Sequence, residues 1–155
     1  MNILILCTGN SARSILLESI FNELGKGRLK AFSAGSNPAG KVHPKSLALL
    51  VNKGHNINGL RSKSWDEFAD APKMDAVITV CGNAKKETCP IWPGTPLKAH
   101  WGVEDPATMG RAAFEVAYQM LEARAKAWLS LEFERMDAPE RQFHLTRIGE
   151  ASLVM

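Results

Sequence analysis

Residues 2–13 read Asn2-Ile3-Leu4-Ile5-Leu6-Cys7-Thr8-Gly9-Asn10-Ser11-Ala12-Arg13, and an amphipathic run opens at Ser14. The unbroken apolar stretch from Ile3 to Leu6 predicts a short parallel strand buried on both faces. Gly9 and its small neighbours predict a tight loop, and the run after it a helix. A loop of this composition turns successive backbone N–H groups inward as an anion nest. The helix behind it points its positive end at the same spot. Arg13 adds a planar fork of donors suited to a tetrahedral oxyanion. Cys7 sits in that field, which favours its thiolate. The stretch therefore predicts a nucleophilic sulfur under a bound oxyanion, with Thr8, Gly9, Asn10, Ser11, Ala12, Arg13 and Ser14 forming the binding loop. A cysteine and an arginine with five residues between them arise often by chance. Their placement between a buried strand and a helix carries the signal, against an inert buried cysteine before a turn. Ser14 is expected to donate to the Cys7 thiolate and to cap the helix. Asn10 is expected to hold the loop shape through backbone bonds.

Outward from this loop the chain alternates strand and helix. Residues 14–24 carry Ile15, Leu16, Ile20, Phe21 and Leu24 at helical spacing, closed by Gly25. Residues 29–34 read as a second strand. Pro44 opens a helix with Leu47, Leu49, Leu50 and Val51, and Gly54 stops it. Residues 61–69 hold a short helix with Trp65 and Phe68. Residues 75–80 form a third strand, and residues 99–101 lie near a fourth. A long helical pattern fills residues 111–133, and Pro139 starts a terminal helical segment. No repeat or linker interrupts the 155 residues, so residues 1–155 are read as a single domain. The predicted fold is α/β, a four-stranded parallel sheet flanked by helices. Such sheets bind ligands beyond the carboxyl ends of their strands, where Cys7 lies.

Hydrophobic residues make up 45% and charged residues 23%, ordinary values for a globular chain. The formal charge of +3 is too small to argue for nucleic acid and does not oppose an anionic substrate. No apolar stretch is long enough for a membrane span. The start lacks a basic n-region and does not read as a signal peptide. Three cysteines, one in a reactive setting, fit a reducing cytoplasm better than a disulfide framework.

Two further stretches bear on chemistry. Residues 77–83 read Val77-Ile78-Thr79-Val80-Cys81-Gly82-Asn83, a strand ending in cysteine and a Gly-Asn turn, as residues 4–10 do. If these strands are neighbours, their ends lie about 5 Å apart and Cys81 reaches Cys7. Cys89 follows after seven residues. Read alone, Cys81 and Cys89 are ordinary buried thiols, and the spacing suits a zinc site with His100 poorly. Asp105 precedes Pro106 on a predicted loop. Alone it is an Asp-Pro turn; beside the Cys7 loop it reads as an acid able to protonate a leaving oxygen. Trp65, Trp92, Trp101 and Trp128 read as core or pocket wall. His43, His55 and His144 read as surface, and Lys85 with Lys86 as a solvated face.

Five segments resemble the arsenate reductases built on the low-molecular-weight tyrosine phosphatase fold. They are residues 7–14, Phe32-Ser33-Ala34-Gly35, Val42-His43-Pro44, Cys89-Pro90-Ile91-Trp92-Pro93 and residues 100–107. The resemblance implies that Cys7 is the nucleophile, Arg13 binds the oxyanion and Asp105 is the acid. It also implies that Cys81 and Cys89 are redox cysteines. Phosphatases of this fold place the acid late in the chain, usually before Pro-Tyr, whereas Asp105 comes earlier, as in the reductases. The single tyrosine, Tyr118, provides no evident aromatic wall for phosphotyrosine. Ala12 stands where many relatives carry a second loop cysteine that shields the nucleophile. The Cys81–Cys89 spacing is one residue longer than in the thioredoxin-linked group. Asn10, Glu18 and Ser33 match a potassium site of some reductases, but Trp65 stands near an expected aspartate ligand, so no metal is assigned.

The activity implied is cytoplasmic reduction of arsenate to arsenite through a thiol–disulfide relay. No cofactor is bound, and an external thiol (thioredoxin, glutaredoxin or glutathione) supplies electrons. The alternatives are a phosphatase of phosphate monoesters in which Cys81 and Cys89 are inert, and a non-catalytic phospho-ligand binding module. For the relay, residues 83–88 favour a helical turn that separates Cys81 and Cys89 by about 12 Å. A disulfide spans Cα atoms only up to about 7 Å apart, so oxidation is expected to unwind this segment.

Overall fold

The computed structural model describes residues 1–70, 72–80, 97–103, 106 and 110–150. Cys81, Cys89 and Asp105 lie outside these residues, as do Trp92, Lys85, Lys86 and the 83–88 turn.

The first strand, β1 (Asn2–Cys7), is the centre of the molecule, and Ile3, Leu4, Ile5 and Leu6 are all fully buried. Full burial of each side chain contributes about 1.5–3 kcal/mol, which fixes the strand's place. It pairs in parallel with β2 (Lys30–Gly35) on one side and with β3 (Ala76–Thr79) on the other. β4 (Leu97–His100) adds to β3, giving the order β2-β1-β3-β4, all parallel. The predicted four-stranded parallel sheet is thus the observed one. The register pairs Cys7 with Gly35 and Leu6 with Thr79.

The two faces of the sheet are covered unequally. Ile3, Ile5 and Cys7 face the larger core, built with helices α1 (Arg13–Leu24), α3 (Arg111–Leu129) and α4 (Ala138–Glu150). Helix α2 (Pro44–Asn52) leans on α1 and α3. Leu4 and Leu6 face Ala34, Met74 and Val77, with Phe32, Trp65 and Phe68 packed around them. Among the described residues, a 3-10 turn at Trp65–Phe68 is the helical cover of this second face.

Local chemistry sets the helix ends. Helix α1 begins one residue earlier than its pattern suggests, and Ala12 precedes it without a side-chain cap. Ser14 is therefore in the first turn and does not cap; its Oγ accepts from Asn10 Nδ2 at 2.8 Å. Pro44 does open α2, and His43 caps it, Nδ1 accepting from the Lys45 N–H at 3.1 Å. The helix expected over 111–133 ends at Leu129. Ser130 Oγ donates to the Ala127 carbonyl at 2.7 Å, the chain turns, and Phe133 returns to stack on Trp128 with ring centroids 5.0 Å apart.

Helix α4 protects the open edge at β4. Gln142 receives the Lys98 N–H at 3.1 Å and donates to the Lys98 carbonyl at 2.6 Å, imitating a neighbouring strand. Trp101 Nε1 donates to the Leu145 carbonyl at 2.9 Å. A Cβ at Gly149 would lie 2.3 Å from the His100 carbonyl oxygen. Gly149→Leu is therefore expected to destabilise the fold by about 1–3 kcal/mol, read as a lowered urea midpoint. An unchanged midpoint would mean that α4 does not dock this closely. No helix among the described residues is long and apolar enough to cross a membrane.

Candidate active site

The loop after β1 is held from outside by its carbonyl groups. The carbonyl of Cys7 accepts from the Ser36 N–H at 3.3 Å, and that of Thr8 from Asn37 at 3.0 Å. Gly9's carbonyl accepts from the Ala39 N–H at 2.9 Å and from Ser62 Oγ at 3.0 Å. Ser11's carbonyl accepts from the His43 N–H at 3.0 Å. In a planar trans peptide the next N–H points opposite to the carbonyl. With these carbonyls engaged by residues 36–62, the N–H groups that follow them are directed away from those partners. This arrangement is compatible with the anion nest expected from the sequence, and α1 begins directly after the loop at Arg13.

Asn10 bends the loop with φ of 50°, in the left-handed region that asparagine tolerates better than most residues. Its side chain is fully buried. Oδ1 accepts from the Lys63 N–H at 2.9 Å, and Nδ2 faces Ser14 Oγ at 2.8 Å and Ser33 Oγ at 3.0 Å. Ser33 Oγ in turn donates to Glu18 Oε1. Asn10 thus engages one backbone group, where backbone bonds were expected, and two side-chain hydroxyls besides.

Gly35, beside Cys7 in the sheet, has no room for a side chain. A Cβ there would lie 2.4 Å from the Thr8 carbonyl oxygen and 3.1 Å from Asn10 N. Both are backbone atoms of the loop, so Gly35→Ala must displace it. The expected result is a loss of about 1–3 kcal/mol in stability together with weaker phosphate binding. Thermal melting with and without phosphate checks it, and a wild-type phosphate-induced shift would refute the close packing.

Cys7 and Arg13 are both buried, 3% exposed each. Arg13 Nη1 donates to the Val103 carbonyl at 2.9 Å. Val103 is itself tied to the sheet, its N–H donating to the Val80 carbonyl at 3.3 Å. The guanidinium is therefore oriented by the chain following β4, a contact that no local pattern in the sequence announces. The Val80 N–H donates to the Leu6 carbonyl at 3.0 Å, so β3 runs alongside β1 up to the residue before Cys7. The neighbouring of the two strands, assumed in reading Cys81, is observed.

Behind the loop lies a charged pair, Lys63 Nζ 3.8 Å from Glu18 Oε1, with side chains only 7% and 13% exposed. Burial pushes the Glu18 carboxyl above the ordinary range, while Lys63, Ser33 and Arg61 pull it back. Burial pushes the Lys63 ammonium down, opposed mainly by Glu18. Trp65, the departure from the potassium pattern, packs with the second apolar cluster. The cation beside Glu18 is Lys63, which sequence reasoning missed. Among the described residues, no group of His, Cys, Asp and Glu is close enough to hold a metal. His100 Nδ1 pairs with Thr79 Oγ1 at 2.7 Å.

The histidines correct another expectation. His55 is half-buried and bridges helices, facing Ser19 Oγ at 2.8 Å through Nδ1 and the Tyr118 hydroxyl at 2.9 Å through Nε2. His43 and His144 are also half-buried. Burial and nearby carboxylates push the Tyr118 phenol up to about 12, so it stays neutral. Tyr118 thus joins α3 to the core and not to the loop.

Residues 2–140 match the model of the low molecular weight phosphotyrosine protein phosphatase family. The chain belongs to that family. Within it, arsenate reductase 2 of Staphylococcus epidermidis is 34% identical over 102 residues, covering 66% of this chain and 76% of that protein. Arsenate reductase 1 of Bacillus cereus is 32% identical over 124 residues, covering 79% and 90%. The crystal structure of arsenate reductase from Archaeoglobus fulgidus superposes with a TM-score of 0.73 at 27% identity, covering 83% of this chain and 99% of that one. The low-molecular-weight phosphatase fold expected from the sequence is therefore the fold of this chain.

Proposed function

We propose that this family member is a thiol-dependent arsenate reductase. The observation that carries the reading is the pairing of β1 with β3, which runs the chain up to Val80 beside the residue before Cys7. A phosphatase needs only water for its second step. A reductase needs a second thiol at the first, and Cys81 directly follows Val80. The relatives named arsenate reductases support the same reading.

In this reading arsenate enters the nest, with its charge met by inward N–H groups, the start of α1 and Arg13. The Cys7 thiolate attacks arsenic, a sulfur–arsenic bond forms, and hydroxide departs as water after protonation by Asp105. The Cys81 thiolate then attacks Cys7 Sγ. A sulfur–sulfur bond forms, the sulfur–arsenic bond breaks, and its electron pair stays on arsenic. Arsenic is reduced from As(V) to As(III) and leaves as arsenite after taking protons from solvent, while the two thiols are oxidised to a disulfide. Cys89 attacks Cys81 Sγ and releases Cys7 as thiolate. The Cys81–Cys89 disulfide is returned to thiols by an external dithiol, thioredoxin or glutaredoxin, or by two glutathiones. The enzyme holds no resident cofactor in this scheme and works in a reducing cytoplasm.

The test is arsenite production from arsenate, followed chromatographically, with thioredoxin, glutaredoxin or glutathione supplied in turn. Arsenite is expected with at least one system and not without thiol. Hydrolysis of an aryl phosphate with no arsenite from any reductant would instead make the chain a phosphatase. Absence of both activities, with Cys7 resistant to iodoacetate at mildly acidic pH, would make it a binding module.

A further inference from the structure

The buried Lys63–Glu18 pair lies outside the chemistry described above, yet it is wired to the loop that binds the oxyanion. Lys63 reaches the loop by two routes. Its backbone N–H donates to Asn10 Oδ1 at 2.9 Å, and its carbonyl accepts from the Gly35 N–H at 2.9 Å. Its side chain crosses beneath, Nζ donating to the Arg61 carbonyl at 2.9 Å and standing 3.8 Å from Glu18 Oε1. From Glu18 a directed chain runs back. The carboxylate accepts only, so the Ser33 hydroxyl must donate to it. That leaves the lone pairs of Ser33 Oγ to accept from Asn10 Nδ2 at 3.0 Å. The Lys63 N–H fixes the other end of the same amide. An ionised Glu18 thereby dictates the orientation of Asn10, the residue that bends the loop with positive φ.

A carboxylate this deeply buried is costly unless a cation accompanies it. Lys63 supplies that cation from within the chain. We propose that the Lys63 ammonium is a tethered monovalent cation that keeps Glu18 ionised and so positions Asn10 and the oxyanion loop, making oxyanion affinity independent of added potassium. Lys63 is in this sense a positioning residue, with no contact to the reacting atoms. The inference rests on the oxyanion cradle of the proposed function and not on the relay, so it is tested without turnover.

Inorganic phosphate serves as the probe, titrated calorimetrically into the reduced protein in choline chloride and in potassium or ammonium chloride at equal ionic strength. Wild-type affinity is expected to be the same in all three salts. Lys63→Met leaves Glu18 without its buried cation, with only the exposed Arg61 guanidinium remaining, and its phosphate affinity in choline is expected to fall at least about tenfold. Potassium or ammonium, able to enter the space vacated by the ammonium, should restore most of the loss. The double variant K63M/E18Q carries no buried charge and guards against misfolding of the single one. It is expected to bind as weakly in every salt, since no carboxylate remains to recruit a cation. Wild-type affinity in either variant overturns the proposal, and so does a loss in Lys63→Met that neither salt relieves. A wild-type protein that binds no phosphate in any salt overturns the cradle itself, and the inference with it.

Discussion

Cys7→Ser is expected to abolish arsenate reduction and any phosphate ester hydrolysis, by about four orders of magnitude or more, the scale on which removal of an enzyme nucleophile acts. In the proposed cradle the loop N–H groups, the start of α1 and Arg13 all favour an anion at this point. A thiol ionises readily in such a field, whereas a serine hydroxyl stays protonated at neutral pH. The change is nearly isosteric at a buried position, so the fold should survive. Phosphate should still bind, because the nest and Arg13 are untouched. Phosphate affinity beside turnover in both assays checks the two halves of the argument. Substantial turnover by the mutant in either assay would remove Cys7 from the chemistry. Loss of phosphate binding together with a lowered melting temperature would show only that the loop had collapsed.

The parts of this site that were legible in the sequence are those encoded by local pattern. A four-residue apolar run bounded by turn residues fits a central strand, and Gly9 with its small neighbours fits a turn. Hence β1, the loop and α1 follow from residues 2–24 without outside information. Strand β3 was legible because Ala76, Val77 and Ile78 are also a short apolar run, whereas β2 carries Lys30 and Ser33 and β4 alternates Leu97 and Ala99 with Lys98 and His100, so their signal is weaker. Ser14 misled because a serine before an apolar run resembles a cap, and only the bond from Asn10 shows its hydroxyl engaged elsewhere.

What stayed hidden depends on residues far apart in sequence. Lys63 meets Asn10 across 53 positions, Arg13 meets Val103 across 90, and Gln142 meets Lys98 across 44. Periodicity tells each segment which of its own faces is buried. It does not say which backbone group will stand opposite. Nothing in Arg61-Ser62-Lys63-Ser64 marks Lys63 as buried, and only the topology brings it beside Glu18 and Asn10. His55 was misread for the same reason: its polar neighbours in sequence are not its neighbours in space, Ser19 and Tyr118.

Cys81→Ser is expected to separate the two chemistries that share this cradle. The register pairs Leu6 with Thr79, and the Val80 N–H donates to the Leu6 carbonyl. Neighbouring strands run about 4.8 Å apart, and a disulfide needs Cα atoms within about 7 Å. Cys81 follows Val80 in the sequence, and in the proposed relay its thiol attacks Cys7 Sγ. Without it, the sulfur–arsenic bond has no intramolecular partner to break it, and electrons cannot reach arsenic at a useful rate. Arsenite production should fall at least about 1,000-fold, roughly 4 kcal/mol of barrier. In the proposed scheme, hydrolysis of an aryl phosphate asks only for Cys7, Arg13 and Asp105, with water in the second step. It should stay within a few-fold of the wild-type rate, however slow that is. The contrast also controls for folding, since a damaged loop would lower both activities together. Arsenite made at the normal rate with the same reductant would remove Cys81 from the relay. The electrons would then have to come from an external thiol attacking the Cys7–arsenic adduct directly. Mass spectrometry would identify that route by trapping a mixed disulfide between the external thiol and Cys7.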